Sequence, residues 1–404
     1  MSTSLLYHAF GIRGYQYTRT EYLGGQVIFT IHQDHDTCRC CSCGSPRVIG
    51  RGQVVRRFRA LPIGGRAIFV VLPIPRVECQ ACGAVRQVEV SFADPRRSYT
   101  SSLERYALEL GRRMTIRDVA AHLGVGWDLI KDIQKRDLSR RFAKPKLKHL
   151  RHIAIDEIAV AKGHRYLTVV MDLKSGAVVF VGDGKGNDAL KPFWKRLRPS
   201  GAKIEAVAMD MSAAYRQAVA TNLPKAKIVF DHFHIVKLFN DKLSDLRRAL
   251  HREATDVLHK QVLKGTRWLL LKNPENLDEK KDEKKRLEEA LALNKTLATA
   301  YYMKEDLRQF WEQPGKRFAT AFLDGWIRRA GASGIKMLQQ MAATLATYRS
   351  GLLAYYDVTI TSGPLEGTNN KIKTMKRQAY GFRDREFFKL KILAIHETRY
   401  ELVG

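Results

Sequence analysis

Acidic residues are scarce in this chain. Of 404 residues, 41 are Asp or Glu against 70 Lys or Arg, a formal net charge of +29. That excess excludes most ordinary enzymes of small neutral metabolites and calls for a polyanionic partner: nucleic acid first, an anionic membrane surface second. Apolar runs of the ~20 residues that cross a bilayer are missing, which excludes a spanning helix and leaves no membrane partner expected. The start, "MSTSLLYHAFGIRGY", lacks the basic end and apolar centre of a secretion signal, so an intracellular location is expected. Cysteine is absent from residues 1–37 and 83–404, and all six cysteines fall between Cys38 and Cys82. That confinement excludes a disulfide framework spread along the chain. In a reducing compartment it favours a metal.

What is present is a globular composition, 45% hydrophobic, in a chain long enough for two or three domains. The segment to about residue 95 carries the cysteines and strand-like runs such as "RAIFVVLPIPRVEC", and residues 100–147 read as short helices. "HIAIDEIAV", "RYLTVVMDL" and "AVVFVGDG" follow with turns short enough for antiparallel neighbours. "DALKPFWKRLR" reads as a helix, "IEAVAMDMS" as a strand, "AAYRQAVATN" as a helix and "AKIVFDHFHI" as a strand. This order predicts an α/β mixed sheet with helices on its faces. From about 235 to 350 the pattern is helical, and "NPENLDEKKDEKKRLEEALALNK" reads as a solvated helix. Residues 362–400 are helical again. Trp127, Trp194, Trp268, Trp311 and Trp326 read as packing residues. Asp172 and Asp183 read as turn residues.

"CRCCSCG" holds two overlapping C-x-x-C pairs, Cys38/Cys41 and Cys40/Cys43, and "CQACG" holds Cys79/Cys82. Two such knuckles around a strand-rich spacer fit a tetrahedral Cys₄ zinc ribbon. A glycine follows Cys43 and Cys82, giving each knuckle its tight turn. Cys40, Cys43, Cys79 and Cys82 are therefore the expected ligands of a structural Zn²⁺, with Cys38 and Cys41 as spares. Four thiolates leave no open coordination position for catalysis.

"TIRDVAAHLGVGWDLIKDIQKRDL" reads as a helix-turn-helix. Thr115 caps the first helix, with Asp118 at the capping-box distance. Val119, Ala120 and Leu123 form its apolar stripe, Gly124-Val125-Gly126 the turn, and Leu129, Ile130 and Ile133 the inner face of the second helix. Lys131, Gln134 and Lys135 are expected to face outward onto DNA.

Asp156 in "HIAIDEIAV" and Asp210 in "IEAVAMDMS" sit on runs that otherwise read as buried strands, where a lone carboxylate is costly unless paired or bound to a cation. Glu366 heads the basic run "SGPLEGTNNKIKTMKRQAYGF", with Pro364 suited to a first helical turn. Leu365, Thr368, Ile372, Met375 and Ala379 then share one face; Glu366, Lys373 and Arg377 share the other. Asp156, Asp210 and Glu366 could meet around two Mg²⁺ or Mn²⁺ ions, hard cations that take oxygen ligands. Such a pair stabilises the attacking and leaving oxygens of a phosphoryl transfer. Lys373, Lys376 and Arg377 would then hold the DNA backbone. Asp231 and His234 of "FDHFH" are supporting groups.

The blocks "IDEIAVAKGHRYLTVVMDL", "AMDMSAAYRQAV", "KIVFDHFHIVK" and "SGPLEGTNNKIKTMKRQAYGFRD" resemble those of bacterial DDE transposases of the ISL-three insertion-sequence type. The likeness covers most of the chain, cysteine knuckles and helix-turn-helix included. It implies an RNase-H-like core split by a helical insertion, and metal-ligand roles for Asp156, Asp210 and Glu366. One departure is "CCSCG", where the family usually has a proline after the first cysteine; it leaves the choice among Cys38, Cys40, Cys41 and Cys43 open. The expected division is a zinc ribbon over 1–95, a helix-turn-helix domain over 96–147, core over 148–236, helical insertion over 237–358 and core again over 359–404.

The resemblance implies an enzyme that binds the terminal inverted repeats of an insertion sequence. It would cleave the DNA ends and join the freed 3′-hydroxyl to target DNA. A homodimer or larger assembly on DNA and a cytoplasmic, nucleoid-associated location are expected with it. Two rivals are a non-catalytic DNA-binding regulator built on the same zinc and helix-turn-helix parts, and an RNase-H-like nuclease without strand transfer.

Overall fold

The computed structural model describes residues 5–161, 163 and 165–397. They form two compact units that divide after Arg140.

The first unit opens with helix α1 (Leu5–Phe10), followed by strands β1 (Gln16–Leu23), β2 (Gln26–His32), β3 (Val48–Ile63), β4 (Arg66–Cys79) and β5 (Val85–Gln87). Their sheet runs β1-β2-β4-β3, with β5 also on β4. Gly64 and Gly65, both at positive φ, turn β3 into β4, as a two-residue hairpin turn requires. The two-residue period of β4 then puts Ile68, Val70, Leu72 and Ile74 inward, where they pack with Phe10, Phe29, Ile31 and Phe58.

Helices α2 (Ser101–Leu110), α3 (Ile116–Leu123) and α4 (Trp127–Phe142) follow. Thr115 caps α3 through its hydroxyl, which accepts the Asp118 N–H at 3.2 Å, and Gly124 ends it in the left-handed conformation. Val119, Ala120, Leu123, Ile130 and Ile133 join Leu103 and Ala107 in a separate small core. Buried Arg59 ties the sheet to these helices, donating to the carbonyls of Ile68 (3.0 Å) and Leu123 (2.8 Å).

The second unit is built on strands β6 (His152–Ala161), β7 (Arg165–Asp172), β8 (Val178–Asp183), β9 (Ala206–Met209) and β10 (Lys227–Phe230). They are ordered β10-β9-β6-β7-β8. β6–β7 and β7–β8 are antiparallel; β6–β9 and β9–β10 are parallel. Helix α5 (Asn187–Leu197) links β8 to β9, and α6 (Ala213–Asn222) links β9 to β10. β9, "AVAM", is buried at every position, as a central strand covered on both faces must be. Three hairpin-linked strands followed by two parallel crossovers give the expected RNase-H-like mixed sheet.

Six helices then intervene: α7 (His232–Glu253), α8 (Val257–Gly265), α9 (Glu283–Leu293), α10 (Lys295–Arg308), α11 (Lys316–Ala332) and α12 (Lys336–Leu353). The chain returns to the sheet with α13 (Gly363–Gln378), which packs on β6, and α14 (Arg385–Leu393), which packs on β8. Among the described residues no helix is long and apolar enough to cross a membrane.

Four local expectations are corrected. The strand expected over "AKIVFDHFHI" stops at Phe230, because Asp231 accepts the Phe233 N–H at 3.1 Å and starts α7. The charged stretch 273–295 is not one solvated helix. Two 3₁₀ turns precede α9, and Glu283 at its head is buried, accepting from Lys272 Nζ at 2.6 Å and the Asp278 N–H at 2.8 Å. Trp194 and Trp326 are core residues, whereas Trp127 and Trp268 are largely exposed. Ala379 on the inner face proposed for α13 is exposed, beyond the point where that helix leaves the core.

Candidate active site and nucleic-acid interface

β6 and β9 run parallel with Ile155 beside Met209, so the next residue of each, Asp156 in the middle of β6 and Asp210 just past the end of β9, stand side by side. Burial pushes the Asp156 carboxyl up to about 6, with Asp210 adding to the rise; the Glu157 N–H and His234 pull the other way. Asp210 Oδ1 accepts the Ser212 N–H at 3.0 Å, a turn that launches α6. Glu157 points to the other face of β6 and is likewise raised, by burial first and Asp210 second. Its neighbour there is Tyr215, whose hydroxyl also meets Thr168 Oγ1 at 2.9 Å.

The third acid arrives on α13. Asp231 accepts hydrogen bonds from both the backbone N–H (3.2 Å) and the hydroxyl of Ser362, the residue that precedes α13. Burial raises the Asp231 carboxyl, but His232, Ser362 and the Phe233 N–H outweigh it and hold the group down to about 2. Asp231 is therefore an anchor for two helix starts, and His234 is the member of "FDHFH" that acts on Asp156 and Glu157. With α13 fixed, Leu365 and Ile372 are buried and Glu366 is half-buried in the first turn. Asn369, one turn on, donates from Nδ2 to Asp156 Oδ2 at 2.7 Å. Glu366 and Asn369 are spaced i, i+3, so the helix face that reaches Asp156 is the one neighbouring Glu366. Among the described residues no three carboxylates offer oxygens all within 4.8 Å of one another, so Asp156, Asp210 and Glu366 do not form a closed triad. Two adjacent carboxylates, both half-buried and with no Lys or Arg ion pair among the described residues, form a donor set suited to a hard divalent cation.

Beyond Glu366, α13 exposes Lys373 and Arg377 and half-exposes Lys376. In α4, Lys131 lies 3.8 Å from Asp128 and 5.4 Å over the ring of exposed Trp127. Lys135 is half-buried. Gln134 does not face outward. It is 5% exposed and lies so close to Gly111 that a Cβ there would come within 2.4 Å of its Nε2. The reason is helical spacing: position 134 is four beyond Ile130 and falls on the inner stripe.

The cysteine knuckles are built as a pair. Gly44 and Gly83 are left-handed, and each donates its N–H to the carbonyl of the first cysteine of its knuckle, Cys40 or Cys79, at 2.8 Å. Cys40 and Cys82 sulfurs are 3.7 Å apart, Cys43 and Cys79 3.5 Å, and all four lie within 4.8 Å of one another. A zinc tetrahedron with ~2.3 Å bonds has sulfur–sulfur edges of about 3.8 Å, so the set fits zinc. N–H groups of Cys43 and Ser42 pull the Cys40 thiol down, while the neighbouring sulfurs push Cys43 and Cys82 up, so the cluster holds protons that a metal must displace. Cys38 is buried in the sheet core with burial pushing its thiol up, and Cys41 is exposed; neither joins the cluster.

Sequence reading passed over Asn369, Glu157's partner Tyr215, and exposed Trp127. Asn369 had one available signal, its i+3 spacing from Glu366.

This is the architecture of a DNA-processing transposase: zinc ribbon, helix-turn-helix, and an RNase-H-like sheet with paired acids on its central strands. A transposase family profile (DDE, ISL3) matches residues 153–392, the helix-turn-helix domain of transposase family ISL3 matches 88–137, and the zinc-finger of transposase IS204/IS1001/IS1096/IS1165 matches 36–82. The chain belongs to the ISL3 transposase family. It is 32% identical over 390 residues to the transposase for insertion sequence element IS1001 of Bordetella parapertussis, covering 95% of this chain and 96% of that protein. It is 29% identical over 388 residues to the transposase for insertion sequence element IS1557 of Mycobacterium tuberculosis, covering 89% and 86%. Among solved structures, the Drosophila P element transposase strand transfer complex aligns with a TM-score of 0.42 and 11% identity, over 74% of this chain and 92% of that one.

Proposed function

We propose that this protein moves an insertion sequence by cutting the DNA at the element's ends and joining each freed 3′-hydroxyl to target DNA. The observation that carries this reading is the adjacency of Asp156, in mid-β6, and Asp210, just past β9, under a helix that carries Glu366 in its first turn. Two divalent ions, Mg²⁺ or Mn²⁺, held by Asp156, Asp210 and Glu366 would supply charge stabilisation for the attacking and leaving oxygens of an in-line displacement. The chain's own groups do the rest. Lys131, Lys135 and the exposed face of α4 hold the terminal inverted repeats, and the zinc ribbon of Cys40, Cys43, Cys79 and Cys82 stiffens that unit. Lys373, Lys376 and Arg377 carry the phosphate backbone past the acids. His234 balances charge beside Asp156, and Asp231 fixes α13. Glu366 closes on the aspartate pair by a small shift of α13 when DNA and metal are present. Two ends must be held together, so the working form is a dimer or larger assembly on DNA, in the cytoplasm at the nucleoid, with the helical insertion as an interface.

The experiment supplies end DNA with Mg²⁺ and scores nicking, then supplies pre-cleaved ends and scores joined products. Asp156→Ala and Asp210→Ala should abolish both while leaving end binding intact. End binding with no Asp156-dependent chemistry would make the protein a regulator; nicking without joining would make it a nuclease. A solution mass that stays monomeric on paired ends would remove the assembly.

A further inference from the structure

Asn369 is 5% exposed, and only one end of its amide is satisfied. Nδ2 donates to Asp156 Oδ2 at 2.7 Å, while Oδ1 is buried with no donor among the described residues. Chemistry fixes which end faces which way: an ionised carboxylate only accepts, so the NH₂ must face Asp156 and the oxygen must face away from it. A buried oxygen without a donor costs about 1–3 kcal/mol, and folded proteins leave few of them. Asp156 Oδ1, for its part, accepts the Glu157 N–H at 2.8 Å. Each carboxylate oxygen thus holds one donor. That pins the plane of the group and leaves further lone pairs for a ligand bond. An asparagine kept only for packing would be expected to pair both ends. This one pairs the end that orients an acid and leaves an acceptor open beside it.

We propose that Asn369 is a positioning residue for the divalent-cation site: Nδ2 sets the Asp156 carboxylate in ligand orientation, and Oδ1 accepts a hydrogen bond from a cation-bound water. The proposal rests on the reading of Asp156 and Asp210 as cation ligands. Mg²⁺ and similar ions held by few carboxylates keep several waters, so an open acceptor next to a ligand finds its donor when the ion arrives. Hydrogen-bond partners of ligating groups typically matter 10–100-fold in metal affinity. The helix that brings Glu366 would then contribute twice, once with its carboxylate and once by orienting a ligand on another element.

The test measures Mn²⁺ binding to the zinc-loaded, full-length protein by loss of the free-ion EPR signal, with thermal melting alongside. Asn369→Leu, alike in branched shape but without polar atoms, should weaken Mn²⁺ binding about tenfold or more while the protein stays folded. Asn369→Ser serves the same comparison where the leucine variant does not fold. Asp156→Asn should lose the site altogether. Full Mn²⁺ affinity in a folded Asn369 variant, with Asp156→Asn still deficient, overturns the positioning role and leaves the metal site standing. Unchanged affinity in Asp156→Asn overturns the metal site itself, and this proposal with it.

Discussion

Replacing the aspartate at 156 by asparagine should make the protein more stable while ending its activity. The folded state holds the Asp156 carboxyl at about 6 against an ordinary 3.8, chiefly by burial. The folded form therefore binds that proton more tightly than the unfolded chain does. By linkage, stability falls as pH rises from about 4 through about 6, and the loss is complete above that. A difference of about 2 in pKa is worth at most about 3 kcal/mol. In a unit of this size that is about 6–12 °C in melting temperature. An amide at 156 removes the buried charge and keeps the shape. It also pairs well with the neighbouring helix: if Asn369 turns its amide over, its unpartnered Oδ1 meets the new NH₂, and the Glu157 N–H keeps its oxygen. The assay is thermal melting of Asp156→Asn and wild type without added Mg²⁺ or Mn²⁺, at pH 7.5 and pH 4.5. The variant should melt higher at pH 7.5, with about two-thirds of that advantage gone at pH 4.5. Equal melting at both, or a variant less stable at pH 7.5, would falsify the claim that Asp156 is a carboxylate whose charge is penalised in the folded state.

Three other outcomes follow from the same geometry. Asp231→Asn removes a carboxylate held down to about 2, so it should cost about 2 kcal/mol near neutral pH; the deficit in urea unfolding should shrink as pH falls from about 4 towards 2 and the wild-type carboxylate is protonated. Cys79→Ser should abolish stoichiometric zinc and loosen the first unit, whereas Cys41→Ser should keep one zinc per chain by atomic absorption; full zinc in the first variant would refute the four-sulfur assignment. Lys373→Ala should weaken DNA binding alike for all sequences and flatten the slope of log K against log salt by about 0.9, the signature of one lost phosphate contact; an identical slope would place that lysine away from DNA.

The central sheet was legible because its signals are local. Continuous apolar runs joined by short turns gave β6, β7 and β8, and their neighbours β9 and β10 came from the alternation of strand and helix patterns. The end of β10 was obscured because "HFHI" extends the apolar run, while the decisive feature is a cap whose partner, Ser362, lies 131 residues away. Gln134 was misjudged by residue type, although its spacing from Ile130 already placed it inside. The two aspartates stood out as charges on buried strands. The amide of Asn369 did not, since its one mark, a place one turn beyond Glu366, gains meaning only when another element packs over it.

Asp231 closes the entire helical excursion at one carboxylate: the chain leaves the sheet there and returns to the same side chain at Ser362. The branch touches the sheet again where α12 packs on β10, with Gly351 against the Phe230 ring, so the part that can vary is the part away from that contact. Since closure entropy grows only with the logarithm of loop length, residues could be added to or removed from the branch at small cost to the core. Its length and content are thus free to change in step with whatever DNA or protein it meets, without moving the acids at its root.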